Sequence, residues 1–306
     1  MADENFEKIY ELIIWLVLTY GQENYQFLKE NLSDVVTKFV IYKPLVAKTA
    51  KAGQFVILRA NETGERVPVT LVDWDAQKGT ITVIIQAIGK STVMFNSLAQ
   101  GERFANVAGP LGTPVEIKNY GTVAVVGGGV GCAIALPIAK ELHDQGCVVH
   151  SVIGFRSKDL LILEDEFKAA SDRLFVMTDD GSYGRHGNVC VPLNEMFANG
   201  EKFDEVITIG PLIMMKFVVA AVKPTGIPCT VSMNPIMIDG TGMCGGCRLT
   251  LHRDGERITK FACVDGPDFN GYEVDFDEAM SRGAMYRDFE RHALEETCNL
   301  LNKEVK

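Results

Sequence analysis

Three cysteines, Cys244, Cys247 and Cys263, fall within twenty residues of one another in a chain of 306 residues that has eight cysteines in all. In a reducing compartment such a cluster favours a metal over a disulfide. With Asp239 ahead of them the pattern reads Asp239-x4-Cys244-x2-Cys247-x15-Cys263. Plant-type 2Fe–2S proteins space their thiolate ligands Cys-x4-Cys-x2-Cys and add a distant fourth. Here the spacing is kept, with Asp in the first position, and iron accepts carboxylate oxygen as well as sulfur. Gly240, Gly242, Gly245 and Gly246 let the loop wrap closely and aim backbone N–H groups at sulfur. Zinc, which also takes three cysteines and an oxygen, fits the same donors. A structural thiol cluster is a further alternative, and Asp239-Gly240 could be an ordinary turn. Cys132, Cys147, Cys190, Cys229 and Cys298 are scattered, as small buried hydrophobes usually are.

A second pattern is built for phosphate. Gly127, Gly128, Gly129, Val130 and Gly131 follow the apolar run Val123–Val126 and precede a helical stretch. Glycines there allow a tight turn and bring an anion to the free N–H groups and positive dipole of a helix start. A bare glycine-rich turn is the plainer reading. The next strand ends at Gly154 without the acidic residue that usually meets a ribose hydroxyl; Phe155-Arg156 follows instead. Arg156 could meet a 2′-phosphate, which leaves NAD against NADP open. Thr178–Ser182, with Asp180, and Gly210–Met215, with Pro211 and Met214, sit where ligands bind such sheets, beyond strand ends. Upstream, Arg66, Val67, Pro68, Val69 and Thr70 offer a guanidinium and a hydroxyl on one strand, and Gly89, Lys90, Ser91 and Thr92 open a helix as a second phosphate seat. A surface arginine and a helix cap are the alternatives.

These residues need elements to hold them. From Tyr25 to about Ile117, short strands at Val35–Ile41, Gln54–Leu58, Val67–Trp74 and Thr80–Ala87, punctuated by turn signals and one helix to about Ala99, predict an antiparallel barrel or sandwich. From Gly121, strands at 123–126, 148–154, 174–177 and 205–209 alternate with helices near 164–170 and 191–198 and from Met214, which predicts a parallel sheet covered on both faces. After about Cys229 the alternation ends in a Gly- and Cys-rich segment. It holds one hairpin, Arg248–His252 and Arg257–Ala262 around Arg253-Asp254-Gly255, and then a charged helical tail from Asp275. The expected organisation is therefore a helical extension over 1–24, a β-barrel over 25–119, an α/β domain over 120–230, and a cysteine domain with its tail helix over 231–306.

Composition narrows the partners. A net charge of −10, without a basic run, argues against nucleic acid. Ile13–Leu18 is apolar but lies among Glu7, Glu11 and Glu23, far short of the roughly 18–20 residues of a membrane span. It lacks a basic leader and a cleavage site, so the expectation is an amphipathic helix in a cytoplasmic protein with no membrane partner.

Taken together, these pieces resemble the ferredoxin–NADP reductase superfamily over about residues 25–290. The resemblance implies an FAD-binding barrel and a nucleotide-binding α/β domain. Arg66-x-Pro68-x-Thr70 looks like that superfamily's flavin motif, with Pro where many members carry Tyr. By resemblance Arg66 holds FAD phosphate and Thr70 lies near the reactive ring nitrogen. Gly89–Thr92 and Gly109-Pro110-Leu111-Gly112 match flavin contacts, while Gly127–Gly131 and Gly210–Met215 match nucleotide loops. A small 2Fe–2S domain after such a module resembles the electron-transfer subunits of dihydroorotate dehydrogenase, which carry four cysteines. Asp239 in the first position is closer to the small-subunit family of NADH-dependent reduced ferredoxin:NADP oxidoreductases, whose relatives include sulfide dehydrogenase subunits. That resemblance implies FAD, NAD and 2Fe–2S as cofactors. It also implies a larger FAD and 4Fe–4S partner, similar to the glutamate synthase small subunit, and flavin-based electron bifurcation. The alternatives are a dihydroorotate dehydrogenase partner, and a non-enzymatic nucleotide sensor with structural zinc.

Overall fold

The computed structural model describes residues 27–304; the helix expected over 1–24 lies outside them. The first sheet is antiparallel, in the order β1-β2-β5-β4-β3-β6. Its strands are β1 (Phe27–Asn31), β2 (Val36–Tyr42), β3 (Phe55–Arg59), β4 (Val67–Asp75), β5 (Thr80–Gln86) and β6 (Asn106–Leu111). The sheet curls like a barrel: the Gly101 N–H, in the segment leading to β6, donates to the Phe27 carbonyl of β1 at 3.4 Å. Phe27, Phe39, Phe95 and Phe104 fill its inside, with Phe27 and Phe104 rings 5.1 Å apart. Phe27 meets Phe39, and Phe104 meets Phe39 and Phe95, edge to face, and such contacts each add about 0.5–1.5 kcal/mol beyond area burial. Alternation along β3 sends Val56 and Leu58 into this interior and Phe55 and Ile57 to the opposite face.

The second sheet has the order β10-β9-β8-β7-β11-β12-β15. Its strands are β7 (Thr122–Gly128), β8 (Val148–Phe155), β9 (Arg173–Thr178), β10 (Arg185–His186), β11 (Glu205–Ile209), β12 (Cys229–Ser232) and β15 (Asp268–Asn270). All pair in parallel except β15, which runs antiparallel to β12. Val123–Val126 in the centre are wholly buried, each of the three valines stabilising the fold by about 1.5–3 kcal/mol. A helix over Gly131–Asp144 packs across β7 and β8 and shares one apolar core with Val36, Val72 and Ile84 of the first sheet.

Two elements differ from expectation. The hairpin is β13 (Arg248–Arg253) and β14 (Glu256–Phe261), closed by Asp254-Gly255 alone. Both residues take positive φ, +54° and +83°, the tight turn whose twist matches that of the strands. The tail is two helices, Phe276–Ala284 and Arg287–Glu304, rather than one.

Candidate functional site

The parallel sheet changes direction of winding between β7 and β11, with β8 on one side and β12 on the other; ligands of such sheets enter the crevice beyond the strand ends at that point. Both expected nucleotide loops stand there. Ile209 pairs with Gly127, so Gly127–Gly131 and Gly210–Met214 leave adjacent strands side by side. A Cβ on Gly131 would lie 2.6 Å from the Ile209 carbonyl oxygen, so no other residue allows this approach of helix to strand. Above Gly129, φ +55°, the space is open. The Met214 side chain lies over Gly128 and Gly210. No side chain caps the helix that starts at Gly131, which leaves its N-terminus to a ligand.

Arg156 and Asp180 lie beyond β8 and β9, beside this crevice. The Asp180 N–H donates to the Arg156 carbonyl at 3.2 Å. Asp180 Oδ1 accepts from the Ser182 hydroxyl at 2.6 Å and from its N–H at 2.9 Å, which hold the carboxyl below its usual range. The exposed Arg156 guanidinium makes no hydrogen bond or ion pair among the described residues.

On the first sheet the register Phe55 to Thr70 and Ile57 to Pro68 puts Pro68 and Thr70 on the outer face, while the Val69 side chain joins the inner core with Val56. Arg66, just before β4, is exposed and without a partner among the described residues. The helix Lys90–Ser97 opens next to open space at Gly89. Its own residues already serve its start. The Thr92 hydroxyl accepts from the Gly89 and Ile88 N–H groups at 3.0 and 3.1 Å, and the Ser91 hydroxyl donates to Glu65. An anion at this seat would displace the Glu65 carboxylate. Gly109 and Gly112 pack tightly on β3, a Cβ on Gly112 falling 2.9 Å from the Phe55 ring.

The cysteine loop lies against this same outer face. A Cβ on Gly240 would come within 2.7 Å of Leu111 and 3.0 Å of Ile57, side chains of β6 and β3. Cys247 and Cys263 are buried with Sγ atoms 3.1 Å apart and no disulfide between them. Burial, and then the neighbouring Cys247 thiol, push the Cys263 thiol up to about 12. Cys244 is exposed, its sulfur accepting from the Gly246 N–H at 3.4 Å. Asp239 accepts from the Thr241 N–H at 2.8 Å and the Cys244 N–H at 2.7 Å; these bonds hold its carboxyl below the usual range. As placed, no three His, Cys, Asp or Glu side chains among the described residues converge as a metal site. The donor set nevertheless fits an iron–sulfur centre: two thiols and a carboxylate on one glycine-rich loop, and a third thiol, Cys263, brought beside Cys247 by the turn that follows β14.

Sequence reasoning missed what fastens this loop. The Thr113 N–H donates to the Gly266 carbonyl at 2.7 Å, and its hydroxyl to the Val264 carbonyl at 3.1 Å. The segment just after Cys263 is thus tied to the segment just after Gly112. A lone Thr in a Pro-rich stretch carries no signal of this.

Residues 234–275, which span all four candidate ligands, match the family described as the iron–sulfur cluster binding domain of dihydroorotate dehydrogenase B. Across the longer chain, a Thermotoga maritima protein named dihydroorotate dehydrogenase B (NAD(+)), electron transfer subunit homolog, is 46% identical over 87% of this chain and 93% of its own. The chain belongs to that electron-transfer subunit family. A Streptococcus pneumoniae member, named as the electron transfer subunit itself, is 32% identical over 79% of this chain and 95% of its own. A solved structure of an NADH-dependent reduced ferredoxin–NADP oxidoreductase, described for flavin-based electron bifurcation, is 45% identical. It covers 89% of this chain and 97% of its own, with a TM-score of 0.83. No helix among the described residues is long and apolar enough to cross a membrane.

Proposed function

We propose that the chain is the NAD(H)-oxidising electron-transfer subunit of a larger oxidoreductase, carrying FAD, NAD and a 2Fe–2S cluster. One observation carries this reading: the cysteine loop packs through Gly240 onto the face of β3 and β6 that also bears Pro68 and Thr70. When bound, FAD supplies hydride exchange with the nicotinamide and single-electron release, and a 2Fe–2S cluster supplies one-electron transfer. The residues of the chain bind and orient. Arg66 and the start of the Lys90–Ser97 helix would take the FAD phosphates, with Thr70 beneath the ring and Gly109 and Gly112 closing the loop beside it. Gly127–Gly131 and Gly210–Met214 would hold the dinucleotide at the sheet's crevice, with Arg156 and Asp180 at its flank. Asp239, Cys244, Cys247 and Cys263 would hold the cluster; the Asp239 carboxylate then turns from the Thr241 and Cys244 N–H groups towards the metal. The Thr113 bonds to Gly266 and Val264 keep this loop fixed relative to the flavin face.

The subunit pairs with a larger partner, as its family name implies. The finer reading is a partner with a second FAD and 4Fe–4S clusters, in an enzyme performing flavin-based electron bifurcation in the cytoplasm. Similarity to the oxidoreductase structure and Asp239 support it over a dihydroorotate dehydrogenase partner. Iron, zinc and flavin content of anaerobically purified protein, with electron paramagnetic resonance after NADH, tests the proposal. About one FAD and two irons per chain, with a NADH-induced 2Fe–2S signal, is expected. Zinc in place of iron, or no flavin, would overturn it. Co-purification of the larger subunit then decides between the two partners.

A further inference from the structure

The two tail helices leave the cysteine domain and return to the flavin-binding sheet. Phe276–Ala284 lies against the helix Leu212–Val222 and against β13, with Lys216 bonded to Asp277 at 2.6 Å. Near its end, Arg282 donates to the Gly246 carbonyl of the cysteine loop at 3.5 Å. Arg287–Glu304 then packs on the helix Lys90–Ser97, whose start is the phosphate seat beside Glu65 and Arg66. The proposed FAD site lies between these same two supports, the cysteine loop on one side and Lys90–Ser97 on the other. The second tail helix therefore runs across it.

The direction in which this helix looks follows from its spacing. The Glu290 N–H donates to the Tyr286 carbonyl at 2.9 Å, so the helical turn begins at Tyr286. Tyr286, Phe289, Ala293 and Thr297 then fall on one stripe. Asp288, Arg291 and Glu295 take the opposite side, with Arg291 bonded to Asp288 at 3.2 Å. The far end of the stripe is covered: Thr297 is 8% exposed, and Ala293 is half-buried. The near end is bare, with Phe289 71% and Tyr286 56% exposed. Side chains of one stripe look the same way, so the bare rings face the gap between Lys90–Ser97 and the cysteine loop, not the solvent side of the helix. From Tyr286 to Thr297 the helix advances about 16 Å, enough to cross a flat cofactor ring. The same gap holds two further unmet groups, the unpartnered Arg66 guanidinium and the open space at Gly89. One ligand that carries both phosphate and flat aromatic rings meets all of them, and FAD is such a ligand.

We propose that the second tail helix is a strap over bound FAD, in which Tyr286 and Phe289 pack against a ring of the cofactor while Arg66 and the turn at Gly89 take its phosphates. The assignment rests on the FAD of the proposed function and adds two binding residues and a gate to it: FAD leaves only when the strap lifts from Lys90–Ser97.

The test is the rate of FAD release from the full-length, flavin-loaded chain after dilution, followed by the fluorescence of free FAD. The double variant Tyr286→Ala with Phe289→Ala should release FAD at least about tenfold faster than wild type. Tyr286→Phe with Phe289→Tyr, which keeps both rings, should release it at the wild-type rate. Both positions are exposed in the flavin-free fold, so neither pair of substitutions removes a core contact. Hydrogen exchange on the wild-type protein needs no variant: amides 287–293 should exchange at least about tenfold faster once FAD has left. Equal release from wild type and the alanine variant, slow exchange unchanged by loss of FAD, or an alanine variant that keeps FAD but loses the larger subunit would overturn the strap alone. A wild-type chain purified without flavin would instead overturn the FAD reading beneath it.

Discussion

The most informative residue is Asp239, the one oxygen donor among the four proposed cluster ligands. Its carboxylate already faces the loop that carries Cys244, so Asp239→Cys should retain two irons per chain while shifting the visible and paramagnetic spectra of the cluster. A spectrum identical to wild type would remove Asp239 from the site. Asp268 gives a second residue-scale outcome. Burial raises its carboxyl from 3.8 to about 6, so the folded protein holds that proton more tightly than the unfolded chain does. Stability from this group is full below about pH 4 and is lost as pH rises through about 6, a span of about two pH units or about 3 kcal/mol. Glu205, raised in the same sense, adds to the trend; Tyr120, also raised by burial, ionises far above it. Asp268→Asn should therefore unfold at higher denaturant than wild type at about pH 8 and at similar denaturant at about pH 4. A constant difference at both pH values would show that Asp268 stays ionised throughout.

At the scale of elements, what could be read in advance depended on whether the signal was local. The Asp254-Gly255 turn is such a signal: two residues that tolerate positive φ stand between two alternating runs, and they close β13 onto β14 in a single register. Gly255, at φ +83°, has open space around the Cβ position, so Gly255→Ala meets backbone strain and no clash. It should cost about 1–2 kcal/mol in denaturant unfolding; no loss would mean that the hairpin does not unfold with the rest. The turns at Gly127–Gly131 and Gly210–Met214 were equally legible as strand-to-helix junctions, because a strand, glycines and a helix follow one another directly. By contrast β15, three residues after a Gly-Pro pair, has no length in which a period could show. Its membership of the parallel sheet is decided by pairing with β12, nearly forty residues earlier in the chain. Likewise Thr92 has the composition of a phosphate ligand, yet its hydroxyl is spent on the helix start; sequence cannot distinguish the two uses. The break at Met285-Tyr286 in the tail was hidden because neither residue opposes a helix.

For the molecule as a whole, β15 and Thr113 determine how loss of the cluster should be felt. A cysteine domain strung on a flexible linker would melt on its own when iron is removed. Here the segment that follows Cys263 becomes the edge strand of the nucleotide sheet. The loop before it packs on β3 and β6, and Val264 and Gly266 accept two hydrogen bonds from Thr113. The Phe55 and Ile57 side chains share one apolar core with Cys247, Cys263 and the second sheet. Loosening the cysteine loop therefore exposes apolar surface belonging to all three parts. Chelation of iron under reducing conditions should lower the main calorimetric transition, by about 3 °C if the cluster contributes about 2 kcal/mol to a chain of this size. It should do so without a separate early transition. Thr113→Val, which removes one hydrogen bond of about 1 kcal/mol, should shift the loaded protein less than the iron-free one, where the cluster no longer shares in anchoring the loop. Two resolved transitions after chelation, with the upper one unmoved, would mean that the cysteine loop is an independent unit whose packing against the flavin face is incidental to stability.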